Sequence, residues 1–277
     1  MPVPLSAVTD AYARLTEVLP GLAVTERAPS EPLPRGGGWV TAATLAAGGP
    51  ALDAYLGLDD AQVLRDHGTR ARPDVVAGFG LHRYAWTACL LFTAPWFLHR
   101  RVPRLPVADV ALDRTAGRVA VRIPSFACLR GDPAAALPGA RVVAGEEALR
   151  TELRAAVAEH LEPLLGAFGP RMRRRGRALW GLATDEVVEG LWYVARLLGE
   201  PERARHELES LLPGATGPFA GSAAFRDLAG PDGEPLTTRD RVGCCMYYTL
   251  RPDDTCATCP RTRDADRAAR LTATGPG

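Results

Sequence analysis

Gly243-Cys244-Cys245-Met246-Tyr247-Tyr248-Thr249-Leu250-Arg251-Pro252-Asp253-Asp254-Thr255-Cys256-Ala257-Thr258-Cys259-Pro260 is the stretch from which the rest of this chain is read. It holds four of the six cysteines, spaced C-C-x10-C-x-x-C. It divides the chain into a body, residues 1–225, and a C-terminal cysteine segment, residues 226–277. A Cys-x-x-Cys turn brings two sulfurs to one side of the backbone, and a second pair completes a four-thiolate shell. Here the second pair is adjacent. Neighbouring side chains point to opposite faces of a strand and diverge around a helix. One tight tetrahedron around a single zinc strains such a pair, whereas a two-iron cluster offers two iron corners. The spacing therefore favours [2Fe–2S] ligation by Cys244, Cys245, Cys256 and Cys259. The alternative is a structural four-cysteine zinc module that binds a partner. A Cys256–Cys259 thiol switch leaves the Cys244-Cys245 pair without a role, and a disulfide between adjacent residues is strained.

Composition narrows the classes. The 277 residues suffice for one large domain or two small ones. A net charge of +1 argues against a general nucleic-acid binder. All 33 basic residues are arginine. No basic n-region precedes an apolar run at the N-terminus, so no secretory signal is expected. The most apolar segment, Ala85 to Leu98, is interrupted by Pro95 and reads as core rather than a membrane span. A cytoplasmic protein is expected. In a reducing compartment a cysteine cluster points to a metal or redox site.

Periodicity predicts an α+β fold: a mostly helical body with a small antiparallel hairpin or sheet and an irregular C-terminal segment. Leu5, Val8, Tyr12, Leu15 and Leu19 mark a first helix to about Val18. Helical pieces follow at Val40–Ala47 and Ala51–Asp66, and a longer helix starts near Asp74. Phe79, Trp86, Leu90 and Phe97 line one side of it. Val107–Leu112 and Arg118–Ile123 read as a hairpin, the second strand alternating cleanly. Ser125–Gly145 reads as a loop. A strong helix then ends at Gly169-Pro170, another stops at Gly199, and Glu200–Leu211 forms a third. Leu212–Asp240 reads as a linker, and Ala265–Leu271 as a final helical turn. Gly36-Gly37-Gly38 and Gly78-Phe79-Gly80 lack the context of phosphate-binding loops.

Outside the cysteine segment the chemistry is sparse. Cys89 and Cys128 read as buried small hydrophobes. The five histidines, His67, His82, His99, His160 and His206, show no ligand spacing. The run Arg171, Arg173, Arg174, Arg175, Arg177 reads first as a solvated face, and second as a dock for an acidic donor or anion. Tyr247 and Tyr248 read either as a shield for the cysteines or as packing.

The cysteine spacing, with Tyr248 after the first pair and Pro260 after the last cysteine, resembles the FhuF-type ferric-siderophore reductases, without gap or substitution at the four cysteines. A helical body and a Leu/Trp stretch at Arg177-Ala178-Leu179-Trp180 ahead of the cysteine tail are also similar. The resemblance implies a [2Fe–2S] cluster on Cys244, Cys245, Cys256 and Cys259. It implies one-electron reduction of Fe(III) held by a hydroxamate siderophore, with the siderophore bound by the body. It requires no catalytic residue beyond the cluster ligands. No flavin or nicotinamide site is recognisable, so the electron comes from a separate donor such as ferredoxin or flavodoxin.

Overall fold

A computed structural model describes residues 6–256 and 258–274. The fold is α+β and dominated by helix, as expected. Among the described residues there are eight α-helices and nine strands, in two compact units. The first unit comprises the chain up to Tyr55 and Ala85–Ala167; the second comprises Leu56–Tyr84 and Phe168 onward. Residues 226–277 therefore belong to a unit that also draws on residues far upstream.

The first unit begins with α1 (Thr9–Val18), ending where the periodicity places it. A four-stranded sheet follows, in the order β1 (Ala23–Arg27), β5 (Arg118–Arg122), β4 (Val110–Asp113), β2 (Trp39–Thr41). The expected hairpin is its β4–β5 pair, with Val110 opposite Val121 and Asp113 opposite Arg118. Val107–Asp109 is a 3-10 turn rather than strand. The alternation in β5 hides a second covered face, because Ala120 packs with Leu33, Ala111 and Trp39. Two sheet strands were unexpected. β1 pairs in parallel with β5, far along the chain, and β2 occupies residues read as helix. Helix α2 (Ala42–Ala46) starts only after Thr41, whose hydroxyl accepts the Thr44 N–H as an N-cap.

Ser125–Gly145 is not a plain loop. It contributes β6 (Ser125–Leu129) and β7 (Ala140–Val143) to a three-stranded sheet with β3 (Arg101–Arg104). These strands are four or five residues long, and β6 and β7 are separated by a stretch holding Pro133, Pro138 and Gly139. Their stability comes from non-local pairing that local pattern does not carry. Cys89 and Cys128 are buried in this unit, as expected of small hydrophobes.

The long helices include α3 (Gly49–His67), α4 (Pro73–His99) and α5 (Glu146–Met172). Among the described residues α4 alone is long and apolar enough to cross a membrane, but most of its apolar stretch is buried inside the protein. It reads as a core helix. The expected stop at Gly169-Pro170 is overrun, because Phe168 and Met172 are both buried and hold the last turn. Pro170 then forfeits one backbone bond without ending the helix.

His160 on α5 is fully buried in the first unit, with Nδ1 2.6 Å from the Leu105 carbonyl and its ring edge-on to Phe92. Burial pulls its pKa from 6.5 to about 4. The folded protein thus keeps His160 neutral over a range in which the unfolded chain protonates it. The stability this provides is complete above pH 6.5 and is lost as pH falls toward 4. At about 1.4 kcal/mol per pH unit, the loss reaches about 3 kcal/mol. We expect His160→Gln to flatten this part of the pH profile, in urea unfolding at pH 7 and pH 4.5. Equal slopes for the variant and the wild type would refute the assignment.

The second unit adds α6 (Arg177–Leu197), α7 (Pro201–Leu211) and α8 (Asp264–Thr274) to the ends of α3, α4 and α5. The stretch read as a linker contains a hairpin, β8 (Phe225–Ala229) with β9 (Pro235–Arg239). It turns through Gly233 at φ +80°. Phe225 stacks edge-on against Trp192 of α6, with ring centroids 5.0 Å apart. Both strands are rich in polar residues, so the hairpin is held by α6 and not by its own pattern.

Candidate metal centre

The cysteine segment is held in place by acids buried on α6. Asp185 and Glu186 are fully buried in the middle of this apolar helix, so their charges must be paired. Asp185 Oδ1 accepts from Arg239 at 2.8 Å and from the Val242 N–H at 2.9 Å; Oδ2 accepts from the Gly243 N–H at 2.7 Å. One carboxylate thus fixes the end of β9 and the two residues before Cys244. Arg239 is itself fully buried and completes its bonds with Glu189 and the Ala223 carbonyl.

The close approach needs small residues on both sides. A Cβ on Gly181 of α6 would sit 2.8 Å from Val242 Cγ1, and one on Gly243 would sit 3.3 Å from Asp185 Oδ2. Beyond the cysteine pair, Met246 adopts the left-handed conformation, φ +65°, and turns the chain into a short 3-10 segment at Tyr247–Thr249. That conformation is unfavourable for a side chain of this size and persists where the surroundings impose it.

Here they do. Tyr247 is packed edge-on against His67 of α3, centroids 5.7 Å apart, and lies 6.4 Å from the ring of Phe79 on α4. Arg251 Nε donates to His67 Nδ1 at 3.3 Å. Tyr248 lies under the Arg261 guanidinium, 4.0 Å from ring centroid to Cζ. Of the two tyrosines, Tyr247 borders the cysteines and Tyr248 serves packing.

None of the six cysteines is paired in a disulfide. The fold brings Cys245 and Cys256 together: their side chains share a hydrogen bond, and the Tyr247 N–H also serves Cys245. Sharing the proton with Cys256, helped by the Tyr247 N–H and the charges of Arg241 and His82, pulls the Cys245 thiol well below its usual range. The same sharing pushes Cys256 up. Cys259 is buried on the turn after Cys256, its N–H donating to the Cys256 carbonyl at 3.0 Å. Its sulfur accepts the Arg261 N–H at 3.5 Å. Cys244 is anchored through its carbonyl, which accepts from Arg174 at 2.9 Å. Among the described residues no three Cys, His, Asp or Glu side chains converge on one single-ion site. The cysteine sulfurs meet as a pair, Cys245 with Cys256, and Cys259 bears on Cys256 through its charge. Thiolates with N–H donors to sulfur are the donor set that an iron–sulfur cluster takes. Cys245 and Cys256 supply donors of this kind.

A cavity of about 320 Å3 opens beside Cys245 and Cys256. Val63, His67, Phe79 and Tyr247 form its less polar wall, and His82, Arg83, Arg241 and Asp66 its polar one. His82 Nδ1 is 2.7 Å from Glu186 Oε1. Burial pulls its pKa down, but the Glu186 charge and hydrogen bond outweigh it and raise it overall. Arg241 is nearly buried against Asp185 and Glu186; burial opposes its charge, and these acids more than restore it. Arg83 is paired with Asp59.

Residues 241–261 match the family model described as the FhuF 2Fe-2S C-terminal domain. This segment is a [2Fe–2S] domain. The match covers the four cysteines together with Arg241 and the Val242-Gly243 turn that Asp185 holds. It favours the cluster over the zinc module, as the adjacent cysteine pair does by geometry. No curated protein matches the chain.

Several site residues were not found from sequence. His67 and His82 were read as scattered, yet both line the cavity beside the FhuF-type segment. The signal for Asp185 and Glu186 was present: two adjacent acids inside an apolar helix imply buried cationic partners. Arg239 and Arg241, just upstream of the cysteines, are those partners. In the run from Arg171 to Arg177, Arg174 reaches the segment, and Arg173, Arg175 and Arg177 are exposed.

Proposed function

We propose that this protein is a ferric-siderophore reductase that works in the cytoplasm. The observation that supports it most is the [2Fe–2S] domain at residues 241–261, whose Cys245 and Cys256 border a cavity. In this reading Cys244, Cys245, Cys256 and Cys259 are the cluster ligands. A [2Fe–2S] cluster supplies one electron at a time, which is the stoichiometry of Fe(III) to Fe(II). Hydroxamate oxygens hold the small, highly charged Fe(III) far better than Fe(II), so the added electron labilises the metal. No proton-transfer residue is required.

The chain's own task is to hold the thiolates and admit the complex. Asp185 sets the backbone ahead of Cys244, and the Tyr247 N–H bonds to the Cys245 sulfur. Such hydrogen bonds to sulfur adjust the potential of a bound cluster. The substrate is a ferric siderophore, of hydroxamate type. The electron is delivered by a separate carrier, ferredoxin or flavodoxin in kind.

The test is a visible spectrum of anaerobically purified protein before and after dithionite. Charge-transfer bands that bleach on reduction and return when a ferric hydroxamate is added, with one Fe(II) formed per reduced protein, are the expected result. A colourless protein with stoichiometric zinc would remove the basis of the proposal. Bands that bleach but do not return with ferric hydroxamate would remove the substrate.

A further inference from the structure

We infer that the cavity beside Cys245 and Cys256 is the docking site of the ferric complex. Phe79, His67 and Tyr247 form its aromatic wall, and His82 and Arg241 face the oxygen ligands. This rests on the reductase reading and assigns it a place and residues. The first argument is size. The cavity measures about 320 Å3. A four-atom Fe2S2 rhomb displaces two to four water volumes, roughly 60–120 Å3. Most of the space therefore remains for something else, on the scale of a small-ligand pocket. A complete trihydroxamate complex is larger than this, so the cavity takes one face of it, next to two cysteine sulfurs.

The second argument is chemical complementarity. A ferric trihydroxamate presents apolar methylene bridges and a shell of electron-rich oxygens. The ring pairs of Tyr247 with His67 and with Phe79 offer a surface for the bridges. For the oxygens, Arg241 and His82 carry N–H groups at the same cavity. Arg241 Nε is buried and makes no hydrogen bond, although it lies 3.5 Å from the Asp185 carboxylate. The other cavity of this unit, about 380 Å3 beside Trp192, Leu236 and Leu271, has no cysteine on its wall and serves as a control.

The probe is Ga(III)–desferrioxamine B, which matches the ferric complex in charge and shape but accepts no electron. It is titrated by calorimetry into the full chain with its cluster in place. We expect one complex per chain. His67→Ala and Phe79→Ala should each weaken binding by about tenfold, the effect of about 1.4 kcal/mol. The visible spectrum should not change. Leu236→Trp, in the other cavity, should leave the affinity as it is. His67 lies at the end of α3, so its substitution tests the site even if Phe79→Ala does not fold. Undiminished affinity in His67→Ala and Phe79→Ala would overturn the assignment, as would absence of binding to the wild type. The reductase reading is scored separately, by reoxidation of the reduced protein with the ferric complex. Reoxidation with unchanged gallium affinity in both variants sinks the site and spares the reading. Gallium binding that both substitutions weaken, without reoxidation, supports the site and sinks the reading.

Discussion

We expect replacing any one of Cys244, Cys245, Cys256 or Cys259 with serine to lower cluster content on the order of 100-fold. That is the upper end of what changes outside a metal's own ligands cost, and loss of a ligand should cost at least as much. The reason is chemical. A serine hydroxyl does not ionise as a thiol does, and a cluster left with three thiolates opens one iron to water. The arrangement at Cys245 sharpens the expectation, because Cys256, the Tyr247 N–H and nearby positive charges all favour its thiolate. Cys89→Ser and Cys128→Ser are the controls. Both cysteines are buried in the other compact unit, so serine there lowers stability but leaves the cluster in place. Iron, inorganic sulfide and the visible spectrum, each per chain, are the measurements. A full cluster in Cys244→Ser, or none in Cys89→Ser, would show the ligand assignment to be wrong.

Asp185→Ala has the second large effect: it destabilises the protein by about 3–5 kcal/mol, the usual loss when one partner of a buried ion pair is removed. Arg239 keeps Glu189 but loses its fully buried counter-charge, and the Val242 and Gly243 N–H groups lose their acceptor. An unsatisfied buried donor costs about 1–3 kcal/mol by itself. Asp185→Asn keeps the shape and one acceptor oxygen, so it should fall between the two. Urea unfolding supplies the stabilities. Cluster content of the folded fraction reports whether the turn ahead of Cys244 has moved. A change below 1 kcal/mol in Asp185→Ala would mean that the segment is held by other contacts.

How far each feature could be read in advance follows from the range of the interactions that make it. Helices α1, α3, α6 and α7 repeat their apolar residues within a few positions, and so does the start of α4, so their existence is local information. The β4–β5 hairpin is also local, with strands separated by a short turn. The pairing of β1 with β5 joins residues about a hundred positions apart. The β8–β9 hairpin depends on Trp192 and Asp185 of α6, which its own Gly- and Pro-rich sequence does not announce.

The same distinction divides the site. The sequence favoured [2Fe–2S] over a structural zinc module, because two adjacent cysteines strain a single tetrahedron, and thiolate chemistry belongs to the residue type. It also determined that Cys89 and Cys128 stand apart, in apolar surroundings visible from their neighbours. Which sulfurs meet, that Asp185 holds the backbone before them, and that His67, Phe79 and His82 form a cavity beside Cys245 follow from the packing of distant segments. Those residues lie more than a hundred and fifty positions from the cysteines. Nothing in their local spacing marks them, because their role arises from the folding of α3, α4 and the cysteine segment into one unit.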